Sequence, residues 1–576
     1  MALIRKIEIE NFRSIQKLDW LPSAGINCLI GAGDSGKSSI LDAIDLCLGA
    51  RRSFQVSDAD FFNLDVEKTI SITLALGNLN DGLKNYEKYG DYLRGYNALN
   101  GTIEDEPRHG LEDVLSLNVT IEGDLEPRWR LISDRTKDRD TDRNLNWKDR
   151  VNLAPTRLGA SSEHNLAWRH GSVLNRLSEE KPDASKALSQ AARDARKTFG
   201  DDAEKQLSQT LATVKTTADS LGIPIGPAAR ALLDTHSVSF SGGSIALHDD
   251  TGVPMRNLGL GSTRLLIAGL QREASATSSI LLVDEIENGL EPHRIIRLLG
   301  SLGAKINPPP QQVFATSHAA PVLRELSHAQ LYVLRKWPAQ HYPIVLPATA
   351  QGSLRLFPEA FLAPTVLVCE GATEIGFIRG FDQFCVDQNR TSIFACGVSL
   401  VDCGGGHPDK AYERAKHFQD LHYRVGVFRD DDLNPTFATE QQFKSAHGGV
   451  FTWSAGQAIE DAIFQGVADN TIQQLLEFAV QQQGEQPVSD RIVQVSGNTE
   501  SLANLRAVLN DPGFILNPQQ RTTLGTAAGG KNGWFKSVTL METATRTIIG
   551  PGIAQATEIF KSQVSALLKW AQVPNG

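Results

Sequence analysis

The sequence predicts an α/β protein built from two successive α/β units, and three observations predict it. A glycine-rich loop, Gly31-Ala-Gly-Asp-Ser-Gly-Lys-Ser38, stands between the apolar stretch Ile26 to Ile30 and the helical run Ser39 to Leu48. A second apolar strand, Ile280 to Val283, ends in Asp284-Glu285, and a third, Gln312 to Ala315, leads into Thr-Ser-His318. After Pro358 and Pro364 a new alternation begins, with Val366 to Cys369, Leu400 to Cys403 and Val425 to Phe428 as its strands.

Between these landmarks the pattern changes several times. Residues 3 to 10 alternate like a first strand, and 69 to 76, 115 to 121 and 128 to 132 predict an antiparallel meander. Residues 134 to 150 mix both charge signs with few apolar side chains and read as a surface loop. From about 172 to 221 the chain is alanine-rich and helical in pattern, which predicts a helical insertion, and strand-like alternation resumes over 237 to 247. The glycine turn Leu258-Gly-Leu-Gly261-Ser262-Thr263 opens a helix running through Gln271, and Pro308-Pro-Pro310 marks a surface turn. The predicted division is therefore 1–158 and 236–358 for the two parts of one unit, 159–235 for the insertion, and 359–576 for the second unit with its extension.

A chain of 576 residues with 41% apolar side chains can bury several cores. Its net charge of -10 excludes global attraction to nucleic acid, so such a partner would be held by local basic patches or bound divalent cations. The six cysteines lack paired zinc spacing and read as reduced core residues. No stretch reaches the roughly 18 apolar residues of a membrane span, and the amino terminus alternates like a strand, so the expected location is the cytoplasm, with no membrane partner.

The first chemical constellation is an ATP site. Backbone N–H groups of a glycine-rich loop between strand and helix can turn onto phosphate oxygens, aided by the helix N-terminus. Gly31, Asp34, Ser35, Gly36, Lys37, Ser38 and Ser39 are the predicted nucleotide contacts, with Lys37 reaching the β- and γ-phosphates and Ser38 holding Mg²⁺. Asp284 would support that magnesium and Glu285 polarise the attacking water. His318 ends the strand expected beside the acidic one. Gly261 and Ser262, at a helix N-terminus, would grip the γ-phosphate of nucleotide on another subunit.

The second constellation is a carboxylate set. Glu370 stands at the carboxyl end of a strand, Gly371 lets the chain turn into a helix carrying Glu374, and Asp430-Asp431-Asp432 ends another strand. In an extended segment residues two apart share a side, so Asp430 and Asp432 can share one cation while Asp431 faces elsewhere. Glu460 and Asp461, at the start of a helix expected from Trp453 onward, would serve a second metal or be ordinary helix-start acids. Lys531 or Lys536, in a glycine-flanked loop, offers an ammonium to a phosphate in flight.

The first set, with the opening Ile7-Glu-Ile-Glu-Asn-Phe-Arg-Ser-Ile15, resembles ABC-type ATPase heads of the SMC and RecF kind. That resemblance implies a homodimer sandwiching two ATP molecules through the heads, and the apolar faces of the alanine-rich insertion, too extensive for an isolated hairpin to bury, are expected to add to the dimer contact. The glutamine loop of such heads has two candidate positions here, Gln55 and the neighbouring Ser57 to Asp60. Glu370, Asp430 and Asp432 resemble the signature of a Toprim domain, and the order of both sets along the chain resembles the OLD family of nucleases, which includes the Gabija nuclease subunit. The resemblance implies a metal-dependent DNA endonuclease acting in phage defence or DNA repair, with Mg²⁺ or Mn²⁺, two per nuclease site, held by Glu370, Glu374, Asp430, Asp432 and the acids near 460. The alternative of another class is an ATP-gated DNA clamp or scaffold without nuclease activity. A further alternative is that the chain is the nuclease subunit of a larger assembly whose helicase partner is encoded nearby.

Overall fold

The computed structural model describes residues 2–50, 54–136, 143–159, 246–273, 280–337, 339–511, 515–530 and 532–573, and between 160 and 245 only 165–168, 172–177, 190, 194, 205–221, 223–224 and 226–231. Most of the predicted helical insertion and of the 237–247 strand, together with Lys531, lies outside the described residues. Within that region two helices are placed, Val173–Leu177 and Ser208–Ser220.

A 13-stranded mixed sheet and a 4-stranded parallel sheet form the frame. The strands are β1 (Leu3–Phe12), β2 (Ile15–Trp20), β3 (Ile26–Ile30), β4 (Ile70–Gly77), β5 (Leu93–Tyr96), β6 (Ile103–Glu104), β7 (Glu112–Ile121), β8 (Arg128–Ile132), β9 (Thr156–Leu158), β10 (Ile280–Val283), β11 (Gln312–Thr316), β12 (Leu331–Trp337) and β13 (Gln340–Val345) in the large sheet. The small sheet holds β14 (Thr365–Cys369), β15 (Val398–Asp402), β16 (Arg424–Arg429) and β17 (Gly449–Thr452). The large sheet runs β6-β5-β7-β4-β1-β2-β13-β12-β3-β11-β10-β9, with β8 on β7, and the small one β15-β14-β16-β17.

Strands β12, β3, β11, β10 and β9 pair in parallel, so both faces need cover. Their continuous apolar runs meet that need: Leu281 and Val283 enter one core, while Ile280 and Leu282 enter the core on the opposite face with Ile40, Ile44 and Leu117. The β1–β4–β7 side is the antiparallel meander expected from alternation. Strand β2, the β5–β6 pair, edge strand β9, the β12–β13 hairpin and β17 were not anticipated. Residues 134–150 are not wholly loop: Asp134–Thr136 forms a 3₁₀ turn and Trp147–Leu153 a helix capped by Asn146.

The two sheets share a core. Val366, Val368, Val401 and Val425 of the small sheet cluster with Val283, Val313 and Ala315 of the large one through Phe361 and Phe418, so packing is continuous across position 358. The other face of the small sheet, Leu367, Cys369 and Phe428, packs on the C-terminal helices with Phe464, Trp534 and Phe560. Trp453 is 4% exposed and belongs to this core. The helix begins at Ile459 instead of at Trp453, because Ala458 is still extended and supplies the N-cap position. All six cysteines are free, four of them buried. Among the described residues no helix is long and apolar enough to cross a membrane.

Candidate functional site

The glycine-rich loop joins β3 to the helix Lys37–Leu48, and its backbone is left-handed at Asp34 (φ 56°) and Gly36 (φ 91°). A Cβ on Gly36 would stand 2.9 Å from Ser14 Oγ in the β1–β2 turn, so glycine is required there for both conformation and space. Lys37 Nζ donates to Gly31 O (3.1 Å), Ala32 O (2.7 Å) and Ser35 Oγ (3.2 Å). Burial pushes its ammonium down to about 8, against the opposing pull of Asp34, Asp284 and Glu287. Ser39 Oγ lies 3.2 Å from Ser14 Oγ, tying the loop helix to the first turn of the chain.

Parallel pairing carries the acidic strand end to this loop. Ser38 Oγ donates to Asp284 Oδ1 at 3.1 Å, joining the two residues expected to share magnesium. Glu285 adopts φ 47°, and its N–H donates to Thr316 Oγ1 at 2.8 Å. His318 N donates to Glu287 Oε1 (2.7 Å) and Ser317 Oγ to Glu287 Oε2 (2.8 Å). Burial, and then Lys37, depress the His318 imidazole, which keeps it neutral near neutral pH. Gly261 and Ser262 lie in the helix Leu260–Glu273; a Cβ on Gly261 would meet Gly289 O at 2.3 Å, and Ser262 Oγ accepts from Arg294 Nη1 at 3.2 Å. Gln55 is exposed, whereas Asp60 is buried against Arg13, with Nε–Oδ1 at 2.9 Å.

Sequence reasoning missed Arg157, Arg264, Glu287 and Thr316. Arg157 on β9 pairs with Asp42 (2.5 Å) and approaches Asp45 and Asp284, both at 3.6 Å. Arg264 is 1% exposed, a fully buried cation one turn beyond Gly261. The only advance signal for Thr316 was its place at the end of the strand next to the acidic one.

The carboxylates gather at the carboxyl edge of the small sheet. Glu370 N donates to Phe428 O (3.0 Å), continuing the β14–β16 ladder, and Gly405 N caps Glu370 O at 2.8 Å. Glu370 Oε2 accepts from Asp430 N (3.1 Å), Glu374 Oε2 from Gly371 N (2.8 Å) and Asp430 Oδ1 from Ile459 N (2.8 Å). Asp431 is turned away, as expected, and held by Arg429 at 3.2 Å and by Gly456 N. Arg429 is itself buried and pairs with Glu440 at 3.0 Å, so the aspartate loop is braced from beneath.

Glu460 and Asp461 part ways here. Glu460 is 1% exposed, and its Oε1 is ion-paired with Lys536 Nζ at 3.5 Å. Asp461 instead caps its own helix through Ala458 N (3.3 Å) and packs on Gly525. Burial, then Glu370 and Glu460, push the Glu374 carboxyl up to about 7. Burial, then Glu374, Glu460, Glu370 and Asp432, push Asp430 well above the carboxylate range. Burial likewise raises Glu370 and Glu460, the latter opposed by Lys536.

Among the described residues no group of three or more His, Cys, Asp or Glu side chains is arranged to hold a metal ion. The charge balance leaves room for a cation: Glu370, Glu374, Asp430 and Glu460 all feel the single ammonium of Lys536, so that when they are ionised the cluster carries excess negative charge. A set made only of carboxylate oxygens suits hard ions such as Mg²⁺ or Mn²⁺.

The parallel strands of the large sheet, the glycine-rich loop after β3 and the adjacent acidic strand end define a P-loop ATPase. The chain belongs to the family described as "AAA domain, putative AbiEii toxin, Type IV TA system", whose model matches residues 26–325. It is also 36% identical over 76 residues to an OLD nuclease of Thermus scotoductus, covering 12% of this chain and 14% of that protein. It is 47% identical over 55 residues to the DNA replication and repair protein RecF of Nitrosococcus oceani, covering 10% and 15%. The chain thus spans about one-seventh of the length of these curated relatives. An Smc head domain from Pyrococcus furiosus overlaps 62% of this chain and 99% of its own at 14% identity, with a TM-score of only 0.33.

Proposed function

We propose that the protein is an ATP-hydrolysing, divalent-metal-dependent DNA endonuclease that works as a homodimer. The observation that carries the nuclease reading is Glu460: a carboxylate 1% exposed, paired only at 3.5 Å with Lys536, whose charge bears also on Glu374 and Asp430, in a cluster where Glu370 and Asp432 add further negative charge. Buried carboxyls are kept ionised at neutral pH by compensating positive charge, and one ammonium is too little for this cluster. Glu370, Glu374, Asp430, Asp432 and Glu460 would hold the ions, which when bound activate water and stabilise the leaving oxygen of a phosphodiester. Lys536, at the rim, offers positive charge to the phosphate under attack.

At the ATP site the chain's own groups have separable tasks. The loop N–H groups and Lys37 bind phosphate, Ser38 and Asp284 hold magnesium, Glu285 polarises water, and His318 is a further catalytic residue beside the acidic strand end. Gly261 and Ser262 act on nucleotide across the dimer, to which the 159–235 insertion contributes. DNA is the substrate of the carboxylate unit, residues 359–576, in phage defence or repair, with a helicase as a further partner. The partial OLD nuclease match supports this reading, and the RecF match supports the competing one, an ATP-gated DNA clamp. Nicking of supercoiled plasmid by purified protein with Mg²⁺ or Mn²⁺, set against Glu370→Ala, separates them: cleavage lost in the variant supports the nuclease, and no cleavage by either protein leaves the clamp.

A further inference from the structure

The segment carrying Glu285 is pinned from both sides of its peptide units. At φ 47° Glu285 holds a left-handed posture that L-residues adopt reluctantly, just past the end of a parallel strand, where its carbonyl opens a turn by accepting from Asn288 N at 2.9 Å. On one side is Thr316, 1% exposed at the end of β11. Its hydroxyl accepts from Glu285 N at 2.8 Å and donates to Asp284 Oδ1 at 2.7 Å. A hydroxyl has one proton and two lone pairs, so both bonds coexist, and the direction of each is fixed by the other. On the opposite side Arg264 donates from Nη1 to Glu285 O (2.9 Å) and Asn288 O (2.7 Å) and from Nη2 to Asp284 O (2.9 Å). The next stretch is stapled to β11 again, through Glu287 to Ser317 and His318.

Strain held by so many bonds needs a reason, and the neighbouring chemistry supplies one. An ordinary extended continuation of β10 would carry the residue after Asp284 to the opposite face of the sheet. We propose that Thr316 is a positioning residue for ATP hydrolysis: with Arg264 opposing it, its hydroxyl locks Glu285 in the left-handed conformation that keeps its carboxylate beside Asp284 and His318, on the nucleotide side. The inference rests on the reading of Glu285 as the group that polarises water.

The test is steady-state ATPase of the full chain with magnesium, for Thr316→Val, Thr316→Ser and Glu285→Gln. Valine keeps the shape and removes the hydroxyl, and serine restores it. Thr316→Val is expected to lower kcat about tenfold or more, ~1.4 kcal/mol in the barrier, with KM for ATP within about threefold and unfolding temperature close to wild type. Thr316→Ser recovers most of the rate. A Thr316→Val enzyme with kcat within about twofold of wild type, while Glu285→Gln is inactive, overturns the role of Thr316 and leaves that of Glu285 standing. A Glu285→Gln enzyme at wild-type rate overturns both.

Discussion

Replacing Glu374 by glutamine tests the charge balance of the carboxylate cluster. The side chain is 4% exposed, its Oε2 accepts from Gly371 N at 2.8 Å, and its carboxyl is pushed up to about 7 by burial and by Glu370 and Glu460. Because the folded-state value is raised, the stabilisation belongs to the protonated form: it is present below about 4.5 and lost as pH rises through 7. The gap between 4.5 and about 7 corresponds to up to ~3 kcal/mol of cost at pH 8 in the absence of metal. Glutamine keeps the acceptor for Gly371 and removes the charge. In EDTA at pH 8, Glu374→Gln should therefore be more stable than wild type by up to ~3 kcal/mol, the advantage shrinking below ~1 kcal/mol at pH 5. With Mg²⁺ at a hundred times its dissociation constant the wild type should gain ~2.7 kcal/mol, and the variant much less. Denaturant unfolding followed by tryptophan fluorescence, to which Trp453 and Trp534 buried in this unit contribute, reads all three conditions for both proteins. A glutamine variant less stable than wild type in EDTA at pH 8, or one gaining as much from Mg²⁺, would refute the reasoning.

Lys37→Ala should abolish ATP turnover, checked by phosphate release. In the wild type, ATP affinity should be flat below pH 7 and weaken by up to about tenfold per pH unit above 8, because a lysine lowered to about 8 must take up a proton to pair with phosphate; titration with a fluorescent ATP analogue from pH 7 to 9.5 measures the slope. Gly261→Ala should displace the helix start from Gly289 O, which a Cβ would approach to 2.3 Å, costing ~1–3 kcal/mol in thermal unfolding and depressing ATPase. Lys536→Ala should slow DNA cleavage more than it weakens Mn²⁺ binding, measured by calorimetry beside a nicking time course.

Local patterns were readable in advance, and pairings over long sequence distance were not. The glycine-rich loop between β3 and its helix, and the acidic ends of β10 and β16, announce themselves because strand, turn and polar end are contiguous. The β12–β13 hairpin escaped notice although it joins β3 to the β1–β2 side of the large sheet, since its partners lie some 300 residues away and its outer positions are polar. Glu460 and Asp461 could not be ranked from sequence because adjacent helical residues differ by about 100° in direction, and only the packing of Gly525 and Lys536 decides which one faces the cluster. Glu287 and Arg264 carry no signal in the sequence, and Thr316 only its place at a strand end, because each acts on backbone atoms of another element. Trp453 shows the converse error, an aromatic taken for the start of a helix that the core had claimed.

Most direct is a plasmid-nicking assay with Mn²⁺ that compares wild type with the Asp430→Ala, Asp432→Ala double variant while ATPase is followed in the same preparations. The account predicts nicking by the wild type, none by the double variant, and ATP hydrolysis in both, because the two sets of carboxylates lie on different sheets. Equal nicking by both proteins would contradict it.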